Sequence, residues 1–594
     1  MAPNSIFENT EVAFKLKSDS QLERAFFLFK MIFQDLPYSR PNLDKITSKL
    51  NSLIQDFSNA DSAKSQIYLM NQIRDVRNEM ESSKTIVSIR HSINTKDEFY
   101  DTENKFFDEN SPAYSAIINK YYQAVVNREV KKELSEEFGP HFFNLAKVTV
   151  ESFDDKTINL LKEENKLSSE YNVIIAQMKI EIDGKQYSLS NISPLLSSSD
   201  RFLRKRSAEA LYHALEAKQE SFDQLYHDLV QVRHKMALEM GYDNYVDLGY
   251  KKLSRTDYSS KEVAEYRKAI HEYVVPVVNK LKDRQKSRLG LEDMKYYDSG
   301  FKFKSGNPTP KGDPKWIIKN GEKMYKELSS ETDDFFQFMM EKGLMDLEAK
   351  DGKMAGGYCT FIGKYGYPFI FSNFNGTSHD IDVLTHEAGH AFQVFRSKEL
   401  PLAEYYFPTL EACEIHSMSM EFFTYPWMKN FFKEDEEKYK FSHLSGSLSF
   451  LPYGAAIDEF QHFVYENPTI SIEERNKGWL IIEDKYGLTN DKDNNEYLLS
   501  GRFWQKQGHL FKVPFYYIDY TLAQVCAFQF WEKSQTNFDE AWSDYLNLCN
   551  HGGSLSFTDL IDVAKLKSPF VKENLKGVIE MIDTYLGNIN DSDM

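Results

Sequence analysis

The strongest constraint on this chain is helical periodicity. Over residues 207–240 the apolar positions Leu211, Leu215, Phe222, Leu225, Leu229, Val232 and Met236 advance by threes, fours and one seven. That stripe predicts one long amphipathic helix ending near Gly241. Residues 20–57 repeat the pattern, with Leu22, Phe26, Phe27 and Phe29, then Ile46, Leu50, Leu53 and Ile54, broken at Pro37 and Pro41. Only 27 Gly and 18 Pro occur in 594 residues, which suits long helices better than a many-turned β architecture. The length exceeds what a single core usually serves. Two regions are expected: an N-terminal helical cap over 1–190 and a larger region over 191–594.

Three stretches depart from the helical pattern. Val173, Ile175, Ala176, Met178, Ile180 and Ile182 run into Asp183-Gly184, which reads as strand and hairpin turn. Ser305–Pro314 reads as a loop. Residues 356–374 mix β-branched and aromatic residues with turns at Gly363 and Gly366, and predict a short sheet; its edge can accept an extended peptide as one more strand.

Charge and cysteine content narrow the class. A formal net charge of −18 gives no general footprint for a polyanion, so nucleic acid is a poor partner. The local run Arg201, Arg204, Lys205, Arg206 reads as a solvated helix face. Cys359, Cys413, Cys526 and Cys549 are scattered, as expected of unpaired thiols in a reducing cytoplasm. No secretory h-region and no run of 18 apolar residues occurs, so neither export nor a membrane partner is expected.

The chemistry is concentrated at His386-Glu387-Ala388-Gly389-His390. On a helix, residues four apart share a face, so both imidazoles can reach one metal, and neutral imidazole suits zinc. Glu387, one step round the helix, can reach a metal-bound water and take its proton. A catalytic zinc site needs a third protein ligand. The following segment, Thr409–Phe423, carries Glu411, Glu414, Ser417 and Glu421 as one polar stripe. Packed on the first helix, it would aim a carboxylate at the metal. Glu414 is the favoured ligand over Glu411, which, one turn away, would accept the other N–H of a metal-bound imidazole.

HEAGHAF followed by Glu414, Ser417 and Glu421 resembles the oligoendopeptidase F family, relatives of thimet oligopeptidase and neurolysin. Gly376-Thr377-Ser378-His379-Asp380, the stretch from His509 through Pro514–Tyr520, and Gly552-Gly553-Ser554 are similar to the same family. The resemblance is densest over about 350–560. It implies a mainly α, two-lobed zinc metallopeptidase with a deep channel, one Zn2+ per chain, and short unstructured peptides as substrates. It places the metal-binding carboxylate at Glu414 and the acid behind it at Glu411. It also implies that His509, Tyr517 and Tyr520 stabilise the oxyanion, without dividing that role between the tyrosines, and makes Gly356-Gly357-Tyr358 a candidate substrate loop. Gln393 stands where mammalian relatives carry another, non-ligating histidine. His379 and His416 carry no required role. The expected activity is cleavage within peptides. The rivals are a zinc exopeptidase of the dipeptidyl carboxypeptidase kind and a non-catalytic peptide-binding scaffold.

Overall fold

A computed structural model of the chain describes residues 31–127, 132–488, 490–592 and 594. The expected helical start at Leu22–Phe29 lies outside them. The protein is mainly α. The helix Leu43–Asn59 begins where the Asn42 side chain accepts the Lys45 backbone N–H, and it buries Leu50, Leu53, Ile54 and Phe57 on one face. With Ala63–Ile93, Glu98–Val126 and His141–Glu151 it builds a core of its own, which Leu402 and Tyr405 join. The helix Ile158–Gln177 contributes Leu160 and Tyr171 to the larger core that surrounds the HExxH segment.

Three sequence expectations need correction. The stripe over 207–240 is two helices, Arg201–Glu216 and Gln219–Glu239, broken at Ala217-Lys218. Leu215 and Phe222 both remain fully buried across the break, so the apolar spacing survives it. In the hairpin, helix continues to Gln177. The strands are only Ile180–Ile182 (β1) and Lys185–Tyr187 (β2), paired antiparallel around Asp183 and Gly184. Both turn residues have positive φ, 50° and 76°, as the tight turn demands. The basic run is not a free face either. Arg201 and Arg204 meet Asp298 at 2.7 and 2.9 Å, Lys205 meets Asp493 and Arg206 meets Asp183, both at 2.9 Å.

The sheet beside the site has the order β3-β5-β4, with β3 Met345–Glu348 parallel and β4 Tyr358–Ile362 antiparallel to β5 Tyr367–Phe374. The β4–β5 connection spans Gly363–Gly366, as the sequence predicts. β3 was not anticipated; four residues with only Leu347 buried give little periodic signal. β4 is an edge strand. Among the described residues, no helix is long and apolar enough to cross a membrane.

Candidate metal and catalytic site

The HExxH motif lies in the middle of the helix His379–Ser397. That helix is anchored at its start by Asp380, whose carboxylate accepts the backbone N–H groups of Asn375 and Gly376, each at 2.8 Å. Acidic residues in a first turn also suit the helix dipole. The helix Leu410–Phe423 crosses it, and Gly389 sets how close the two come. A Cβ at 389 would stand 2.6 Å from Ser417 Cα and 2.7 Å from the His416 carbonyl oxygen. Glycine inside a helix costs about 1 kcal/mol against alanine, and here it permits the backbone contact that delivers Glu414.

His386, His390 and Glu414 form the one group of metal-ligating side chains found among the described residues, with ligand atoms within 4.8 Å of one another. Glu414 Oε2 lies 3.1 Å from His386 Nε2 and 3.3 Å from His390 Nε2. Ligands about 2.1 Å from a tetrahedral ion stand roughly 3.4 Å apart, so these spacings fit a zinc-sized ion. The supporting contacts point the same way. Glu421 Oε1 accepts from His386 Nδ1 at 2.7 Å, which leaves Nε2 turned toward Glu414. Tyr516 donates its O–H to Glu414 Oε1, and Ser417 donates to Oε2 at 2.9 Å. Burial works against charge on Glu414, but His390 and His386 outweigh it and hold the carboxyl well below its usual range.

Glu387 is buried, and one of its oxygens has no hydrogen-bond partner. Burial raises its pKa, and the two motif imidazoles oppose that rise. A Cβ at Gly357 would come within 3.3 Å of its other oxygen. The Gly356-Gly357 loop therefore closes directly over the base.

A cavity of about 600 Å³ holds His386, Glu387, His509, Tyr517 and Tyr520 in its lining. The 508–512 turn is fixed from behind by the fully buried Arg233, which donates to the Leu510 and Phe511 carbonyls at 3.1 and 2.6 Å. After it, Phe515 takes a positive φ of 65°, a conformation that costs a non-glycine residue about 1 kcal/mol or more. Gln461 accepts its N–H and Arg255 donates to its carbonyl, both at 2.7 Å. The reversal launches the helix Tyr517–Thr536 with Tyr517 and Tyr520 toward the cavity. The long helix Glu436–Glu466 packs against this one through Gly454, where a Cβ would clash with Thr521.

His509 is held neutral, its pKa pushed down to about 4 by burial and then by the nearby Lys512. Gln507 decides its tautomer. The Gln507 carbonyl oxygen accepts from Tyr453 O–H at 3.1 Å, so its amide N–H₂ faces His509 Nδ1 at 2.7 Å. Nδ1 is then the acceptor, and Nε2 carries the proton, 3.4 Å from the Tyr520 oxygen.

Glu411 does not stand behind an imidazole. Neither of its oxygens meets a hydrogen-bond donor. Burial pushes its carboxyl up to about 7, against the pull of Arg255. The contact expected of it belongs to Glu421. Position 421 is two turns from Glu414 and returns to nearly the same face, whereas 411 lies a turn the other way, toward Arg255. Glu421 Oε2 also meets His443 Nε2 at 2.6 Å, and Tyr425 O–H meets the other nitrogen of that ring at 2.7 Å. Glu421 was visible in the acidic stripe. His443 and Tyr516 reach Glu421 and Glu414 from other segments, and only the packing brings them in, whereas Gln507 sits two residues from the His509 it contacts. His379 lines the cavity, while His416 is buried, its Nδ1–H donating to the Ala412 carbonyl at 2.7 Å.

Two imidazoles one turn apart, a glutamate from a crossing helix within reach of both and a buried carboxylate beside them define a metallopeptidase-type centre. The chain belongs to peptidase family M3. Residues 319–578 match that family, and residues 33–153 match the peptidase M3 N-terminal domain. Among solved structures it is similar to PZ peptidase A with inhibitor 2, at 50% identity and a TM-score of 0.93, covering 94% of this chain and 100% of that one. An oligoendopeptidase F homolog of Lactococcus lactis subsp. lactis is 25% identical over 62% of this chain, and the group B oligopeptidase PepB of Streptococcus agalactiae is 22% identical over 61%. The match spans 61% and 60% of those two relatives' own lengths.

Proposed function

We propose that the protein is a zinc metalloendopeptidase that hydrolyses internal bonds of short, unstructured peptides. The observation that carries this reading is the clustering of three donor atoms from His386, His390 and Glu414, one of which, His386, lines a cavity together with Glu387, the neutral His509 and two tyrosines. His386, His390 and Glu414 would hold one zinc ion, which when bound supplies Lewis acidity toward a carbonyl oxygen. Glu387 takes the proton of the attacking water and passes it to the leaving amine. His509 donates through Nε2–H, and Tyr517 and Tyr520 through their hydroxyls, to the oxyanion as the carbonyl becomes tetrahedral. Glu421 and Tyr516 hold His386 and Glu414 in place.

The substrate class follows from access. The base lies under the Gly356-Gly357 loop, and the cavity floor is formed by buried helices, so a thin extended chain enters and a folded domain does not. The edge of β4 offers unpaired backbone groups to such a chain. Four free cysteines, three of them buried, fit residence in a reducing cytoplasm. The test is mass spectrometry of products from a peptide pool of graded length, with and without chelator and with free or blocked C-termini. The reading requires internal cleavage of short members that persists when the C-terminus is blocked and is abolished by chelation. Release of terminal dipeptides alone would assign an exopeptidase, and an inert protein would sink the enzyme.

A further inference from the structure

Most buried cations of this protein have a carboxylate partner. Arg204 meets Asp298, Arg233 meets Glu164, Arg255 meets Asp519 and Arg267 meets Asp458. Lys302 differs. It is the one lysine or arginine in the lining of the cavity that holds Glu387 and His509. Its backbone is fixed on both sides: the N–H donates to Asn307 Oδ1 at 2.8 Å, and the carbonyl accepts from Arg288 Nε at 2.7 Å. Among the described residues its ammonium has no hydrogen bond and no ion pair.

The surrounding charges do not neutralise it. The carboxylate that acts on it is Asp382, and Asp382 accepts the Tyr439 O–H at 2.7 Å instead. The Arg288 guanidinium, of like charge, is itself paired with Asp591. Nζ lies 3.5 Å from where a Cβ of Gly446 would stand, and Gly446 lines the same cavity. Desolvation lowers the ammonium's pKa. An ammonium partly withdrawn from water with no carboxylate in direct contact is costly, and a substrate anion that pairs with it removes that cost on binding.

We propose that Lys302 is a subsite for a carboxylate of the peptide substrate, either the terminal carboxylate or an Asp or Glu side chain placed at a fixed distance from the cleaved bond. The proposal rests on the peptidase reading and adds a substrate preference to it. An ammonium–carboxylate contact in a partly desolvated site is strong enough to make that preference measurable.

The experiment uses the full-length zinc-loaded enzyme and matched peptides. One series exchanges Glu for Gln at successive positions around the cleaved bond, and each member is made with a free or an amidated C-terminus. The wild type should favour one carboxylate-bearing peptide over its neutral partner by about tenfold in kcat/KM. Preference for free acid over amide identifies the terminal carboxylate, and preference for Glu over Gln identifies a side chain. The ratio should collapse toward one in Lys302→Met, persist in Lys302→Arg and invert in Lys302→Glu. A wild type that cleaves every pair without preference, or a Lys302→Met enzyme with the wild-type ratio, overturns the subsite and leaves the peptidase reading standing. A wild type that cleaves none of the peptides overturns the peptidase reading itself.

Discussion

Replacing Gly389 with alanine puts the architecture of the site to a quantitative test. The added methyl would meet Ser417 Cα at 2.6 Å, the His416 oxygen at 2.7 Å and Met420 Cβ at 3.0 Å. The first two are backbone atoms of a helix and cannot swing aside. To restore ordinary contact the helices must part by about 0.8 Å or more. Ser417 is bonded to Glu414, so the ligand moves with it. Metal–ligand distances tolerate only about 0.2 Å, so a displacement of this size breaks the three-point site. The expected result is zinc affinity lower by on the order of 100-fold, with overpacking costing a further ~1–3 kcal/mol of stability. Zinc affinity is read by competition with a chromophoric chelator, and helicity by far-UV circular dichroism. Gly577→Ala, at an exposed helix position with nothing within 4 Å of the new methyl, is the control and should stabilise by about 0.5–1 kcal/mol. If Gly389→Ala binds zinc like the wild type, the claim that this close crossing positions Glu414 is refuted.

Three further outcomes follow from the surrounding contacts. Tyr516→Phe removes the hydroxyl donor to Glu414 and should weaken zinc binding about 10- to 100-fold in the same competition assay. Gln507→Glu places an acceptor where His509 Nδ1 meets a donor; the ring proton should move to Nδ1 and kcat fall more than KM changes, with ¹⁵N chemical shifts of the histidine rings reporting the tautomer. Protonation gives the third. His416 and His509 are both pushed down to about 4 by burial, against about 6.5 for a free histidine. Their folded pKa values are depressed, so the unfolded chain takes up protons first as pH falls. The stability they allow is complete above pH ~6.5 and is lost between about 6.5 and 4, at up to ~1.4 kcal/mol per pH unit for each group. In urea titrations of the metal-free protein, His509→Gln should lose less stability than the wild type between pH 6.5 and 5.

The centre of the site was legible because one helix writes it at a fixed period. His386, Glu387 and His390 needed only the helical repeat, and Glu414 followed from an acidic stripe at the right distance. Glu411 and Glu421 belong to that same stripe, and choosing between them requires the rotation of one helix on another, which no spacing encodes. Tyr516, His443 and Lys302 arrive from segments tens to hundreds of residues away, while Gln507 acts on His509 two residues on, a contact no periodic pattern marks. The helix break at Ala217-Lys218 has no proline or glycine to announce it; tertiary packing overrides a sequence that favours continuation. The β-hairpin was placed by Asp183-Gly184, whose left-handed conformations favour these residues, but its first strand starts late because apolar residues of the preceding helix imitate one.

The central claim is that Glu387 moves the proton while His386, His390 and Glu414 hold the metal. Glu387→Gln keeps the size of the side chain and removes its basicity. Zinc per chain and hydrolysis of an internally quenched short peptide should be measured on the same preparation. The account predicts close to one zinc per chain, with hydrolysis reduced by at least about 100-fold. Hydrolysis at the wild-type rate with one zinc bound would contradict it.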